Sequence, residues 1–333
     1  MPPLVSILVP TYNGAEHLEA CLESARGQSV SDLEIVVVDD ASTDASFEVA
    51  TRCAAGDKRI KVHRNDSRLG LTNNWNRCAE LAQGEWIKFL FQDDLLYPEA
   101  LDLLLPAGAR DRPLVTGRRQ VVIEVGVDDD TKEYFGGLPN LESLFAYQGF
   151  VAPEPLCKAL VEHLAVNFIG EPSAVLLHRS VFERFGNFNP LMIQLADLEL
   201  WARIGVQTGL SVVGETVATF RIHSRSQTAL NKHVQEYRKD LLDPLILYHQ
   251  YAHDDSFAPL RRVAAGMQPP VSFAKVCAVE AERAHRMASK AAPDGDRSLL
   301  RAWDEVSAAH PRLRRSLRLS WLRLRRALGA RRE

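Results

Sequence analysis

Three short apolar runs near the start of the chain each end on polar or acidic residues. Val5–Val9 stops at Pro10, Glu34–Val38 at Asp39-Asp40, and Trp86–Phe91 at Gln92-Asp93-Asp94. Short β-favouring runs of this kind, alternating with helices, predict parallel strands covered on both faces. Leu18, Cys21, Leu22 and Ala25 recur at helical spacing between the first two runs. Asn73–Ala82 also reads as helical, with Gly84 suited to its C-terminal end. Residues 1–105 therefore predict a βαβαβ half of an α/β sheet. Ligands of such sheets bind outside the carboxyl ends of the strands. Pro10-Thr11-Tyr12-Asn13, Asp39-Asp40 and Asp93-Asp94 all fall there.

The pattern is less regular afterwards. Leu114–Val127 predicts one or two strands, with Asp128-Asp129-Asp130 at a hairpin tip. Leu141–Phe150 and Pro155–Val166 read as helices, Ser173–Leu177 as a strand, and Ser180–Phe185 as a short helix. Asp197–Gly205 predicts a helix, and Leu210–Val213 and Thr216–Ile222 predict two strands. From Lys232 the pattern is helical. It breaks at Pro293-Asp294-Gly295-Asp296 and resumes at Ser298.

Composition excludes several classes. At 333 residues, 46% hydrophobic and 25% charged, the chain is an ordinary globular protein. Its net charge of −3 conceals an asymmetry: residues 311–333 hold nine arginines and one glutamate, a net of +8, which leaves about −11 for the rest. An acidic body is not a nucleic-acid binder, so no nucleic-acid partner is expected. The cysteines at 21, 53, 78, 157 and 277 form no C-x-x-C pair, which fits reduced thiols rather than disulfides or zinc. Met1-Pro2-Pro3-Leu4 lacks the basic region of a secretory signal, and no apolar stretch reaches 18 residues. The expected location is cytoplasmic, at the inner face of the cell membrane if the basic tail binds there.

Motif searches remove further chemistry. There is no G-x-G-x-x-G after the first strand, no G-x-x-x-x-G-K-[ST], no H-E-x-x-H and no G-x-S-x-G. What remains is carboxylates at strand ends. A hard divalent cation takes one or two carboxylates and fills its other positions with phosphate oxygens and water, so an Asp pair suits a diphosphate ligand. A solvated turn is the plain alternative.

Read jointly, the motifs are far more specific. Val5–Gly14, Ile35–Asp44, Asn73-Asn74-Trp75-Asn76, Gly84–Ile87 and Phe91–Pro98 resemble, in order and spacing over about 100 residues, the family-2 glycosyltransferases. The resemblance implies an α/β GT-A nucleotide-diphospho-sugar transferase fold, with a mostly parallel central sheet and a helical C-terminal region. The GT-A domain would span 1–230, with a nucleotide-binding half (1–105) and an acceptor-binding half (106–230). A helical region, 231–333, would end in the basic amphipathic tail 311–333.

The resemblance also implies an inverting transfer from a nucleotide-diphosphate sugar to an acceptor hydroxyl. Pro10, Thr11, Tyr12, Asn13, Asp39, Asn76, Asp93 and Arg221 would hold the donor, with uridine the first choice of base. Asp94 and His223 would hold Mg²⁺ or Mn²⁺. In this reading Gln92 replaces an acidic residue and leaves the metal site one charge short. Leu195–Arg203 resembles the family's E-D-x-[DE]-L-W-x-R helix, with Ala196 in place of Glu, and puts Asp197 at the position of the general base. Glu199 is the alternative, and an Asp near a helix start also complements the macrodipole. Phe220–Thr228 resembles the Y-R-x-H-x-x-S segment; there Arg221 or Arg225 would neutralise leaving-group charge, and His223 is either functional or structural. Arg68 and Arg77 face phosphates or solvent.

The implied acceptor is a saccharide or lipid-linked saccharide, in bacterial cell-surface polysaccharide or glycolipid assembly. Leu313, Leu317, Trp321, Leu324 and Leu328 form one apolar helical stripe among arginines in the tail. That pattern suits an anionic membrane surface, with packing against the acidic body as the alternative. Two rival functions follow from the same residues. A sugar nucleotidyltransferase would carry a glycine-rich basic loop, which Pro10–Gly14 does not supply. A non-catalytic sugar-nucleotide-binding or membrane-assembly subunit would account for Gln92 and Ala196.

Overall fold

The structure is a computed structural model that describes residues 2–137, 141–145, 149–223, 241–291 and 297–314. Strand β1 (Val5–Thr11) is buried along its whole length, and helix α1 (Ala15–Arg26) buries Leu18, Cys21, Leu22 and Ala25 against the sheet. Then follow β2 (Leu33–Asp39), α2 (Ser46–Gly56), β3 (Ile60–Arg64), α3 (Leu71–Leu81), β4 (Trp86–Phe89), β5 (Leu95–Leu96), α4 (Ala100–Leu104) and β6 (Leu114–Ile123). Next come α5 (Asp129–Gly136), α6 (Leu141–Leu144), β7 (Gly149–Val151), α7 (Pro153–Glu162), β8 (Val175–His178), α8 (Ser180–Phe185), α9 (Ala196–Thr208) and β9 (Leu210–Ile222). Four helices close the described chain: α10 (Asp243–His253), α11 (Ala258–Gly266), α12 (Phe273–Ala291) and α13 (Ser298–Ala309).

The strands form one sheet in the order β3-β2-β1-β4-β8-β6-β9-β5, with β7 paired to β9. The β3-β2-β1-β4 block is parallel, as is β6–β9, while β8 is inserted antiparallel to both β4 and β6. The sheet is therefore mostly parallel. Pro10 sits in the central strand β1, where a missing N–H would normally cost a ladder bond. Leu8 O accepts from Leu90 N, so even-numbered residues of β1 turn their backbone groups toward β4. The last β1–β4 pair is Leu8–Phe89. Pro10 falls just beyond it, where the two strands separate and a crevice opens.

One apolar core lies under α1 and α2. The larger one joins the opposite face of the sheet to α3, α7, α9 and the C-terminal helices, through Tyr251, Phe257, Ala281, Trp303 and Leu313. The C-terminal helices thus share the core of the sheet. All five cysteines are free and buried. Among the described residues, no helix is long and apolar enough to cross a membrane. The first turn of the basic tail is docked: Leu313 is fully buried, and Arg314 pairs with Asp304 at 2.9 Å. The tail from 315 onward, with Leu317, Trp321, Leu324 and Leu328, lies outside the described residues, as do Arg225 and the rest of 224–240.

The structure corrects several local expectations. β3 is an additional strand; its burial is interrupted by lysine, histidine and arginine, which hid it from an apolar-run reading. Asp129 and Asp130 open α5 instead of turning a hairpin, Phe150 lies in β7, and Ser173 lies in a 3₁₀ turn before β8. Leu210–Ile222 is one strand. Gly214-Glu215 resembles a break, but β9 passes it through bulges opposite Gly117–Arg119, which absorb the extra residues without ending the strand.

Gly84 is not a helix cap, because α3 ends with Ala82 in an extended conformation. It is glycine because a Cβ there would stand 2.5 Å from Ser6 N and 2.7 Å from Val5 C, on the backbone of β1. Gly56 has nothing within 4 Å of its own Cβ position. Gly84→Ala should therefore lower stability by about 1–3 kcal/mol. Gly56→Ala should be neutral or raise it by up to about 1 kcal/mol. Chemical denaturation of the two variants checks the contrast.

Candidate active site

The carboxyl ends of β1, β2 and β4 meet at one edge of the sheet, and there the acidic pairs divide into different roles. Asp40 is buried and fully committed: Oδ1 accepts from Asn65 Nδ2 (2.8 Å) and Leu69 N (2.7 Å), and Oδ2 from Gly70 N (2.9 Å). It fixes the loop that delivers Gly70, at φ +86°, to the start of α3. Asp39 is equally buried but half committed. Its Oδ2 accepts from Ser42 N (3.1 Å) and faces Arg64 Nε (3.3 Å), whereas its Oδ1 is buried with no hydrogen-bond partner. An unmade bond of that kind costs about 1–3 kcal/mol unless a ligand donates to it.

Beside Asp39, the turn after β1 is stitched to the loop after β2. Asn13, at φ +48°, donates its N–H to Ser42 Oγ (3.0 Å) and accepts from Thr43 N at Oδ1 (2.8 Å). Gly14 N donates to Ser46 Oγ, and Ala15 N to Asp44 Oδ2. Pro10 and Thr11 are buried in the strand end below. The Tyr12 ring carries the Arg68 guanidinium 4.0 Å from its centroid, a cation–π contact.

Gln92 has a role that an acid cannot fill. Its Oε1 accepts from Tyr12 N (2.8 Å), and its Nε2 donates to Tyr12 O (3.2 Å). The amide lies against Gly14, where any Cβ would overlap it. Gln92 therefore clasps the β1 turn across the crevice, with both ends of its amide bonded to Tyr12.

Asp94 and Asp93 divide as Asp40 and Asp39 do. Asp94 is buried, with Oδ2 accepting from Ser173 Oγ (2.5 Å) and Oδ1 from Arg221 N (2.9 Å). Burial, then the neighbouring Asp93 charge, raises its pKa well above the carboxylate range. Asp93 keeps some exposure and meets His223, with Nε2 to Oδ2 at 3.1 Å. The His17 ring on α1 lies 4.8 Å from the His223 ring. Arg221 can only donate, so its Nη1 donates to His17 Nδ1 at 2.8 Å, and its Nε lies 3.7 Å from Glu124. Burial, then the charge of Arg221, lowers the His17 pKa and keeps the ring a neutral acceptor.

Asp93 and His223 therefore offer the open carboxylate and imidazole. Among the described residues, no group of three or more His, Cys, Asp or Glu side chains gathers as a ligand set. Two protein ligands with the rest from diphosphate and water is a normal complement for Mg²⁺ or Mn²⁺, and the pair fits that pattern. Asp94, expected as the metal ligand, has both oxygens engaged by protein donors.

Asp197 stands in the first turn of α9 and is only 8% exposed. Oδ1 accepts from Leu198 N (2.7 Å) and Oδ2 from Asn167 Nδ2 (2.8 Å). Burial dominates its titration and pushes its pKa up to about 7, against the opposing effect of these bonds. Glu199 is buried and gripped by Arg203, with Nε–Oε1 at 3.0 Å and Nη2–Oε2 at 2.7 Å. That pair anchors Arg203 to the Asn187 carbonyl, so Glu199 belongs to the packing of α9.

Asp243, from α10, accepts from Ile193, Gln194 and Leu195 N–H groups at 2.5–3.0 Å and so fixes the entry to α9. Asn76, expected near the donor, commits both ends of its amide to the Phe188 backbone, at 2.9 and 3.0 Å. Arg77 pairs with Glu80 on the surface.

Sequence reasoning missed Lys88, Asn167, Ser173, His17 and Asp243. Only Lys88 carried a signal, a single charge inside an apolar strand. Gln92→Glu tests the clasp: it would turn a donor into an acceptor against Tyr12 O and should cost about 1–2 kcal/mol, measured by thermal or urea unfolding. A metal-shell role for this position would leave stability unchanged.

The family model described as "Glycosyl transferase family 2" matches residues 6–155. An uncharacterized protein of Mycobacterium tuberculosis is 31% identical over 242 residues, 72% of this chain and 73% of its own length. A protein named putative glycosyltransferase EpsH, from Bacillus subtilis, is 29% identical over 257 residues, 75% of this chain and 68% of its own. The crystal structure of an S. aureus TarS fragment in complex with UDP-GlcNAc superposes with TM-score 0.57 at 16% identity, covering 94% of this chain and 83% of that one. The fold is that of the GT-A transferases, and the chain belongs to glycosyltransferase family 2.

Proposed function

We propose that the protein transfers a sugar from a nucleotide-diphosphate sugar to an acceptor hydroxyl with inversion at the anomeric carbon. The observation that carries this reading is the buried, unpartnered Oδ1 of Asp39 at the strand-end crevice. It suits the imide N–H of uracil first, or an N–H of another base, with the Tyr12 ring beside it. Structures of similar fold solved with UDP-GlcNAc and with GDP-Man support a nucleotide-sugar donor of this class. The acceptor is proposed as a saccharide or lipid-linked saccharide, reached from an anionic membrane surface through 311–333.

Asp93 and His223 would hold Mg²⁺ or Mn²⁺, which supplies charge neutralisation for the departing diphosphate. Arg221, tied to His17 and Glu124, adds fixed positive charge to the same side of the crevice. Asp197 accepts the proton of the acceptor hydroxyl at a carboxylate oxygen, and its pKa near 7 suits a base working near neutrality. Below that pH Asp197 is protonated and cannot accept, so turnover should fall as pH falls through about 7.

Two substitutions separate binding from chemistry. Asp197→Asn should cut turnover by about 10²–10⁴-fold and leave nucleotide affinity intact. Asp39→Asn should do the reverse. Its remaining oxygen must serve Ser42 N–H and Arg64, so the amide N–H would face the base donor and weaken binding about 10–100-fold. Calorimetric titration with UDP and GDP, beside nucleoside diphosphate release from UDP-sugars, reads both. A full rate for Asp197→Asn would remove it as the base.

A further inference from the structure

We propose that Asn167 is a positioning residue for Asp197, fixing which carboxylate oxygen is held and favouring its charged form. The inference rests on Asp197 being the general base. Asn167 is itself oriented without ambiguity. Its Oδ1 accepts from Gly170 N (3.1 Å), so its NH₂ group must be the end that donates to Gly170 O (3.1 Å) and to Asp197 Oδ2 (2.8 Å). Gly170, at φ +128°, is in turn held through its carbonyl by Trp201 Nε1 at 3.0 Å, one turn along α9 from Asp197. The Asn167 amide, the Gly170 peptide and α9 thus form a closed ring around one oxygen of the base.

The ring matters chemically because a carboxylate has about four acceptor sites, and here protein donors take one on each oxygen. Capacity is left for an acceptor hydroxyl. The charged groups on the elements around Asp197 are Glu171 with its partner Arg119, Asp243 on α10, and Glu199 with Arg203 on α9 itself. Both of those glutamates are paired with arginine, and Asp243 is committed to three N–H groups. Among the described residues, the Asn167 amide is the neutral side-chain donor to the base, and a donor to the charged form favours that form.

Asn167→Asp is the decisive variant. It is isosteric and retains the acceptor for Gly170 N, but it removes the donor and sets a carboxylate against Asp197. The assay is nucleoside diphosphate release from whichever of UDP-N-acetylglucosamine, UDP-glucose or GDP-mannose the wild type turns over, followed from pH 5 to 9. The acidic limb of kcat should move up by about one pH unit or more, giving roughly tenfold lower turnover below pH 7, with the KM for donor unchanged. If Asn167→Asp does not fold, Asn167→Ala is read instead and should shift the limb the same way by less. An unmoved limb, with Asp197→Asn inactive, overturns the proposal alone. Full turnover of Asp197→Asn overturns the base assignment beneath it.

Discussion

A single buried ammonium joins the two sides of the crevice. Lys88, fully enclosed in β4, donates to the carbonyls of Phe89 (3.0 Å), Pro172 (3.2 Å) and Ser173 (2.5 Å). Burial lowers its pKa to about 7, with Asp94 opposing that shift. Three carbonyls match the three donors of an ammonium, which is the condition under which a buried charge is tolerable. The loop they hold leads through Ser173 to Asp94 and onward to Arg221, and through Gly170 and Asn167 to Asp197. The two sides of the crevice are therefore set relative to each other by one buried amino group and its chain of hydrogen bonds.

The same division of labour recurs at each acidic cluster. Asp40, Asp94 and Glu199 are buried, and every carboxylate oxygen they have is taken by a protein donor. Of their neighbours, Asp39 keeps an unpartnered Oδ1 and Asp93 keeps some exposure beside His223, whereas Asp197, like Asp94, accepts one protein donor on each oxygen. At the ends of β2 and β4, the more fully bonded carboxylate of each pair holds the frame beside a less fully bonded neighbour. The frame costs the chain buried charge, and what it secures is aim: the partly free carboxylates cannot swing away, because the residues beside them are fixed.

The parallel half of the fold was legible because both faces of β1, β2 and β4 are buried, so their sequences read as unbroken apolar runs. β3 was not legible, because it lies at the sheet edge and carries Lys61, His63 and Arg64. At the candidate site, the sequence pointed to the three strand ends that the fold brings together but could not divide adjacent aspartates. Burial and hydrogen-bond partners distinguish Asp93 from Asp94, and those partners, Ser173 and the Arg221 N–H, are 79 and 127 residues away. Gln92 shows the converse. Judged by type it was a missing acid, whereas its position opposite Gly14 and Tyr12 makes the amide the functional choice. Asn167 and Asp243 act on α9 across 30 or more residues and leave no local pattern to read.

The crevice at the ends of β1, β2 and β4 is proposed as a donor site that needs a divalent cation. The direct measurement is calorimetric titration of the full chain with UDP, TDP and GDP, each with and without Mn²⁺. The account predicts saturable binding of one of them, at one site per chain and strengthened by the cation. Absence of binding to all three, with the metal present, would contradict it.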